Sequence, residues 1–217
     1  MDADLPAEIA LGSSRHAPQG VRVVRDQIAA DEWCEVDGLR VTTPVRTAFD
    51  IARRYPRDMA VPLLDSLCAT TGLDPASVLD FAASHLGERG TARLRAIIEL
   101  VDAGAASPQE SRTRLFLIDN GFPTPETQID VYDDQGRFVA RLDMGWRDLQ
   151  IALEYDGAQH WTSPKQFTRD VDRLAALESL NWLVIRVTAT HLHTRPHLIR
   201  TRLHNAFVRR GVILPAP

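Results

Sequence analysis

The chain has 217 residues, with 25 Lys and Arg against 29 Asp and Glu, a net charge of −4, 44% hydrophobic residues and a mean hydropathy of −0.18. That balance excludes a disordered chain and argues against a strong, indiscriminate nucleic-acid binder. No apolar run approaches the roughly 18 residues of a membrane span, and Met1–Pro6 has neither the basic nor the apolar region of a signal peptide, so no membrane contact and a cytoplasmic location are expected.

In chain order, the first stretch reads as short strands. Val21–Arg25 is apolar and β-branched, and Trp33–Val36 meets Leu39–Thr42 across Asp37-Gly38, a two-residue hairpin signal. Cys34 and Cys68 lack metal-ligand spacing and read as reduced thiols. Thr43-Pro44 is an N-cap followed by proline, opening a helix to about Arg54. A second helix runs from Arg57 to Thr71 and stops at Gly72. Asp74-Pro75 opens a third, to about Leu86, and Thr91–Ala103 supplies a fourth. The charged residues of residues 44–104 read as solvated helix faces. Gly104-Ala105-Ala106 marks a boundary, giving units at 1–104 and 105–217.

Beyond it, Ser107-Pro108-Gln109-Glu110 is a capping box that gives Glu110 a structural task, and its helix ends at Asn120-Gly121. Thr127–Tyr132 and Arg137–Leu142 form a hairpin, and Leu149–Tyr155 adds a strand. A second capping box, Ser163–Gln166, starts a helix to about Leu180. Trp182–Val187 is nearly continuous apolar sequence, expected of a strand buried on both faces. A last helix runs from His191 to Arg210. The order, helix, three strands, helix, strand, helix, implies an α/β fold: a mixed sheet flanked by helices, preceded by a small, mostly helical α+β region.

The chemistry concentrates where Asp143 ends one strand and Glu154 and Asp156 share one face of the next. A short turn returning the chain antiparallel brings the three carboxylates together. Anions that close require a proton or a cation among them, and Mg²⁺ or Mn²⁺ suits all-oxygen ligands. The stretch Arg186–Arg210 carries six arginines and four histidines with no acid, so Arg186, Arg195 and Arg200 form a strip able to face phosphates, balanced against a plain solvated face.

Asp143, Glu154-Tyr155-Asp156-Gly157, Gln159-His160, Asp170 with Arg173, and Asn181–Arg186 together resemble a domain family of unassigned function related to very-short-patch-repair endonucleases, within the PD-(D/E)xK, restriction-endonuclease-like superfamily. The resemblance spans residues 107–210. It implies a restriction-endonuclease-like sheet and Mg²⁺-dependent hydrolysis of DNA phosphodiesters. Asp143 and Glu154 would be metal ligands, with Asp156 and Glu110 as further candidates. Asp156 stands where the superfamily usually has lysine. His160 is the substitute proton carrier, Gln159 orients water or substrate, and Lys165, the chain's single lysine, could reach back to the site. Each residue has a plainer alternative: Asp143 and Glu154 in ion pairs with Arg141, Arg173 or Arg186; Asp156-Gly157 as a turn; His160 packed on Trp161; Asp170 and Arg173 tying helix to sheet.

Residues 1–104 resemble more weakly the part that follows the winged helix in antitoxins of abortive-infection type IV toxin–antitoxin systems. The winged helix has no counterpart here, so a DNA-reading helix-turn-helix is not expected. Two functions follow: a metal-dependent DNA endonuclease or nicking enzyme, or a non-catalytic nucleic-acid-binding or regulatory module of toxin–antitoxin type with a degraded nuclease site. Partners would be DNA and a protein docked on the helical region, with no small-molecule cofactor.

Overall fold

Thr43 and Pro44 start the first helix as their chemistry dictates: Thr43 Oγ1 accepts the Arg46 N–H at 3.4 Å, and proline occupies the first turn, where no N–H is needed. In the computed structural model, which describes residues 7–10, 19–85, 87–157 and 164–214, the chain divides into units Met1–Val101 and Asp102–Pro217.

The first unit contains two small sheets: β1 (Ala7–Ala10) beside β2 (Val21–Val24) in parallel, and the hairpin β3 (Trp33–Val36) with β4 (Leu39–Thr42). Its helices are α1 (Pro44–Arg54), α2 (Arg57–Thr71), α3 (Pro75–Ala83) and α4 (Leu94–Ile98). The fourth predicted helix is shorter than its apolar pattern suggested. Leu100 and Val101 bond three residues back, to the carbonyls of Ile97 and Ile98, and this tightening ends it.

The arginines and acids of α1 are not the solvated faces predicted. Arg46 is 1% exposed, and its guanidinium meets Asp50 at 3.1 Å, Asp26 at 2.8 Å and the Glu32 carboxylate. Arg53 and Arg54 join the same Asp26 and Asp50. Arg46, Asp50 and Arg53 recur at helical spacing on the side that also buries Phe49, so they face the core together. His85 completes the network: Nε2 lies 2.6 Å from Glu32 and Nδ1 2.9 Å from the Phe81 carbonyl. The Phe81 bond, opposed by burial and aided by Glu32, raises its pKa.

The second unit is α/β. Its elements are α5 (Pro108–Asp119), β5 (Glu126–Tyr132), β6 (Phe138–Trp146), β7 (Ile151–Tyr155), α6 (Pro164–Ser179), β8 (Leu183–Val187), α7 (Ala189–His193) and α8 (Pro196–Arg209). The sheet order is β5-β6-β7-β8; the first two pairings are antiparallel and the last is parallel, with α6 as the crossover. One apolar cluster joins Met144, Trp146 and Leu153 to Leu117 of α5 and Phe207 of α8; another joins Ile129, Leu142 and Ala152 to Leu177 of α6. Helices therefore cover both faces. Gly145 permits β6 and β7 to approach: a Cβ there would stand 2.2 Å from the Ile151 carbonyl oxygen.

Two expectations change. The last helix is split, because Pro196 lacks an N–H and opens α8 anew, while Thr188 and His191 form a capping box for α7. His191 therefore has a structural task. And β8 is not buried on both faces. It is a terminal strand of the sheet, half-buried from Leu183 to Arg186.

Candidate acidic site on the central strands

β6 and β7 pair from Trp146–Ile151 to Met144–Leu153, which brings Asp143 level with Glu154. The ladder stops there, and the Tyr155 N–H donates instead to Asp143 Oδ2 at 2.7 Å. On the other side of Asp143, the β5–β6 register passes over Gln128, whose φ of 50° lies in the left-handed region. Residues two apart on a strand ordinarily share a face, yet Leu142 and Met144 pack into different clusters. The positive φ of Gln128, opposite Asp143, lies between them, and strain of this kind concentrates at functional positions. Gln128 was not anticipated, since nothing in a strand-like sequence signals a positive φ.

Two further carboxylates, Glu110 and Glu154, lie near enough to act on the charge of Asp143. Glu110, from α5, is buried; its Oε2 accepts from the Ala106 N–H at 2.9 Å and from Gln128 Nε2 at 3.1 Å. The capping box predicted for Ser107–Glu110 is thus made in one direction. Ser107 Oγ accepts the Glu110 N–H at 3.2 Å, whereas the glutamate reaches Ala106 and the sheet. Burial, with the charges of Glu110 and Glu154, raises the pKa of Asp143 to about 6, against the opposing pull of the Tyr155 N–H and Arg173.

The other acids are held by arginines. Glu154 is 8% exposed, and Arg173 of α6 takes both its oxygens, Nη1 to Oε1 at 2.5 Å and Nη2 to Oε2 at 3.0 Å. Arg173 also meets Asp170 at 2.7 Å. Arg186 of β8 binds Asp170 at 2.9 Å and Asp156 at 2.8 Å. An alternating row results: Glu154, Arg173, Asp170, Arg186, Asp156. The Glu154 bond is the leading cause that raises the Arg173 pKa. Arg141 takes no part; it pairs with Asp130 at 2.6 Å.

The residues present do not fit a divalent cation as arranged. Both Glu154 oxygens are occupied, Asp156 faces Arg186, and among the described residues no group of three His, Cys, Asp or Glu side chains converges to hold a metal. The predicted Gln159 and His160 lie outside the described residues. Of the predicted phosphate contacts, Arg186 is engaged in the acidic row, while Arg195, Arg200 and Lys165 are exposed.

The raised pKa has a consequence for stability. The unfolded carboxyl ionises near pH ~4, whereas folded Asp143 keeps its proton to about 6, so stability falls as pH rises across that window. Asp143→Asn retains an acceptor for Tyr155 and removes the charge. It should stabilise the protein by about 1 kcal/mol at pH above ~7 and leave it unchanged at pH ~4, after discounting for partial exposure. Thermal unfolding at both pH values measures this, and a lower midpoint for the variant in neutral buffer would contradict it.

Comparison with known proteins gives a family match within the first unit and relatives whose similarity extends beyond it. Residues 1–100 match the AbiEi antitoxin C-terminal domain family. Two uncharacterized proteins of Mycobacterium tuberculosis, from strains H37Rv and CDC 1551, are each 29% identical over 168 residues. The match covers 77% of this chain and 62% of each relative, so the chain spans less than two thirds of their length. No solved structure matches the chain significantly. The first 100 residues are thus similar to the C-terminal domain of abortive-infection antitoxins, and they lead into an α/β unit whose central strands carry a row of acids clamped by arginines.

Proposed function

We propose that the protein is a regulatory module of toxin–antitoxin type that binds a toxin or nucleic acid and has a closed, non-catalytic acidic site. The observation that carries the reading is the fork of Arg173 on both oxygens of Glu154, which occupies the carboxylate most central to a nuclease site. The antitoxin-domain match over residues 1–100 supports the regulatory half. The exposed Arg195 and Arg200, in a stretch without acids, supply a surface for phosphates.

A metal-dependent DNA endonuclease is the second reading. The gathering of Glu110 and Glu154 around Asp143, on the central strands of a mixed four-stranded sheet, favours it. It requires Arg173 to leave Glu154. One experiment separates the two: incubate the full chain with supercoiled plasmid and Mg²⁺ or Mn²⁺, beside Asp143→Ala and Glu154→Ala. The regulatory reading expects the three proteins to leave the plasmid equally intact. In gel shifts with short duplex DNA, Arg195→Glu with Arg200→Glu should weaken binding by roughly tenfold or more, because each removes a phosphate contact and adds repulsion. Metal-dependent nicking by the wild type alone would overturn it in favour of the nuclease.

A further inference from the structure

Between β8 and α8 lies a groove of about 540 Å³. Its floor is the half-buried apolar run of β8, Leu183 to Ile185, and its wall is the stripe of α8 that carries Arg202, Asn205 and Arg209. These recur at helical spacing and point along one side. The strand's hydrogen-bonding geometry fixes what the edge presents. Leu183 donates its N–H to Gln150 at 2.8 Å, and the Val187 carbonyl accepts from Asp156 at 2.7 Å, so the odd-numbered positions serve β7. In a parallel ladder the alternate positions face away, which turns the N–H and C=O of Val184 towards the groove. Apolar sequence at a terminal strand is unusual, because such edges recruit further strands and are ordinarily blunted by charge or proline.

We propose that this groove docks an extended, acidic segment of a partner protein, which adds beside β8 as a fifth strand. Charge selects the occupant. Arg202 and Arg209 line the groove with Glu178, the third lining arginine, Arg186, being held by Asp156 and Asp170, and the stretch Arg186–Arg210 contains no acid. The positive field is felt locally: beyond the effect of burial, Arg202 and Arg195 hold the His191 pKa down. A second copy of this chain is disfavoured, since pairing β8 with itself would bring both sets of arginines together. A nucleic acid would satisfy the arginines, but its phosphodiester backbone carries no alternating N–H and C=O groups to continue the ladder at the edge of β8. An alternating acidic strand supplies backbone pairing, apolar cover and counter-charge at once. The groove would give the regulatory reading its protein contact; its failure leaves the plasmid and gel-shift results of that reading unaffected.

The test measures fluorescence anisotropy of a labelled octapeptide alternating glutamate and valine, titrated with the full chain. Controls are the lysine–valine peptide, the acidic peptide N-methylated at alternate amides, and a labelled single-stranded DNA oligonucleotide. The acidic peptide should bind at least about tenfold more tightly than the lysine peptide, as like charges across an interface are strongly disfavoured. N-methylation should abolish binding without altering the protein. Arg202→Glu with Arg209→Glu, on exposed positions of α8, should weaken it by roughly tenfold and improve the lysine peptide. Equal binding of the two peptides, indifference to N-methylation, no measurable binding, or tighter binding of the DNA through the same two arginines would each overturn the proposal.

Discussion

Arg46→Ala is expected to lower the stability of the first unit by about 3–5 kcal/mol, enough to unfold much of it near physiological temperature. The arginine is 1% exposed and stands among Asp26, Glu32 and Asp50. Burying it is costly in itself, and its presence does not make the unit unusually stable. Its removal is worse, because Glu32 is left to His85, and Asp26 and Asp50 lose one of the three guanidinium groups that hold them in a poorly solvated site. Arg46→Lys keeps the charge but cannot fork onto several acids, so it should fall between wild type and Ala. Amide hydrogen exchange over α1 in the full chain is the direct readout. Exchange slowed no less in Arg46→Ala than in wild type would show that the network contributes little.

Arg173→Ala should act as strongly in the second unit, lowering its stability by roughly 2–4 kcal/mol, since truncating one partner of a buried pair leaves the other unpaired. Glu154, nearly buried, would then face Asp143 and Glu110 without the guanidinium that takes both its oxygens. The same change opens an anionic site. Millimolar Mn²⁺ should therefore raise the unfolding midpoint of the variant by several degrees more than that of wild type, as a ligand preferring the folded state stabilises it by mass action. The contrast is informative in either direction. A variant as stable as wild type and indifferent to metal would mean that Arg173 does not close the site. A variant that gains nicking activity would identify the clamp as the element separating a regulator from a nuclease.

The sequence by itself determined the local structure. Cap and proline at Thr43-Pro44, Asp74-Pro75 and Ser107-Pro108 start helices where their hydrogen bonds require, and the alternation around Asp143 and Glu154 marks the strands bearing the acids. Those signals depend on neighbours a few residues away. Partners far along the chain carry no such period, and only the tertiary structure decided them. It buried Arg46 with acids up to 20 residues distant, gave Glu154 to Arg173 at a separation of 19, and turned Arg186, read from sequence as a phosphate contact, onto Asp156 and Asp170. It also set β8 at the sheet's edge, although its apolar run is what a central strand would show, because position in a sheet depends on which strands pair and not on the strand's own composition. In the same way, two guanidinium groups delivered from α6 and β8 tie three of the acids, Glu154, Asp170 and Asp156, into a row of ion pairs.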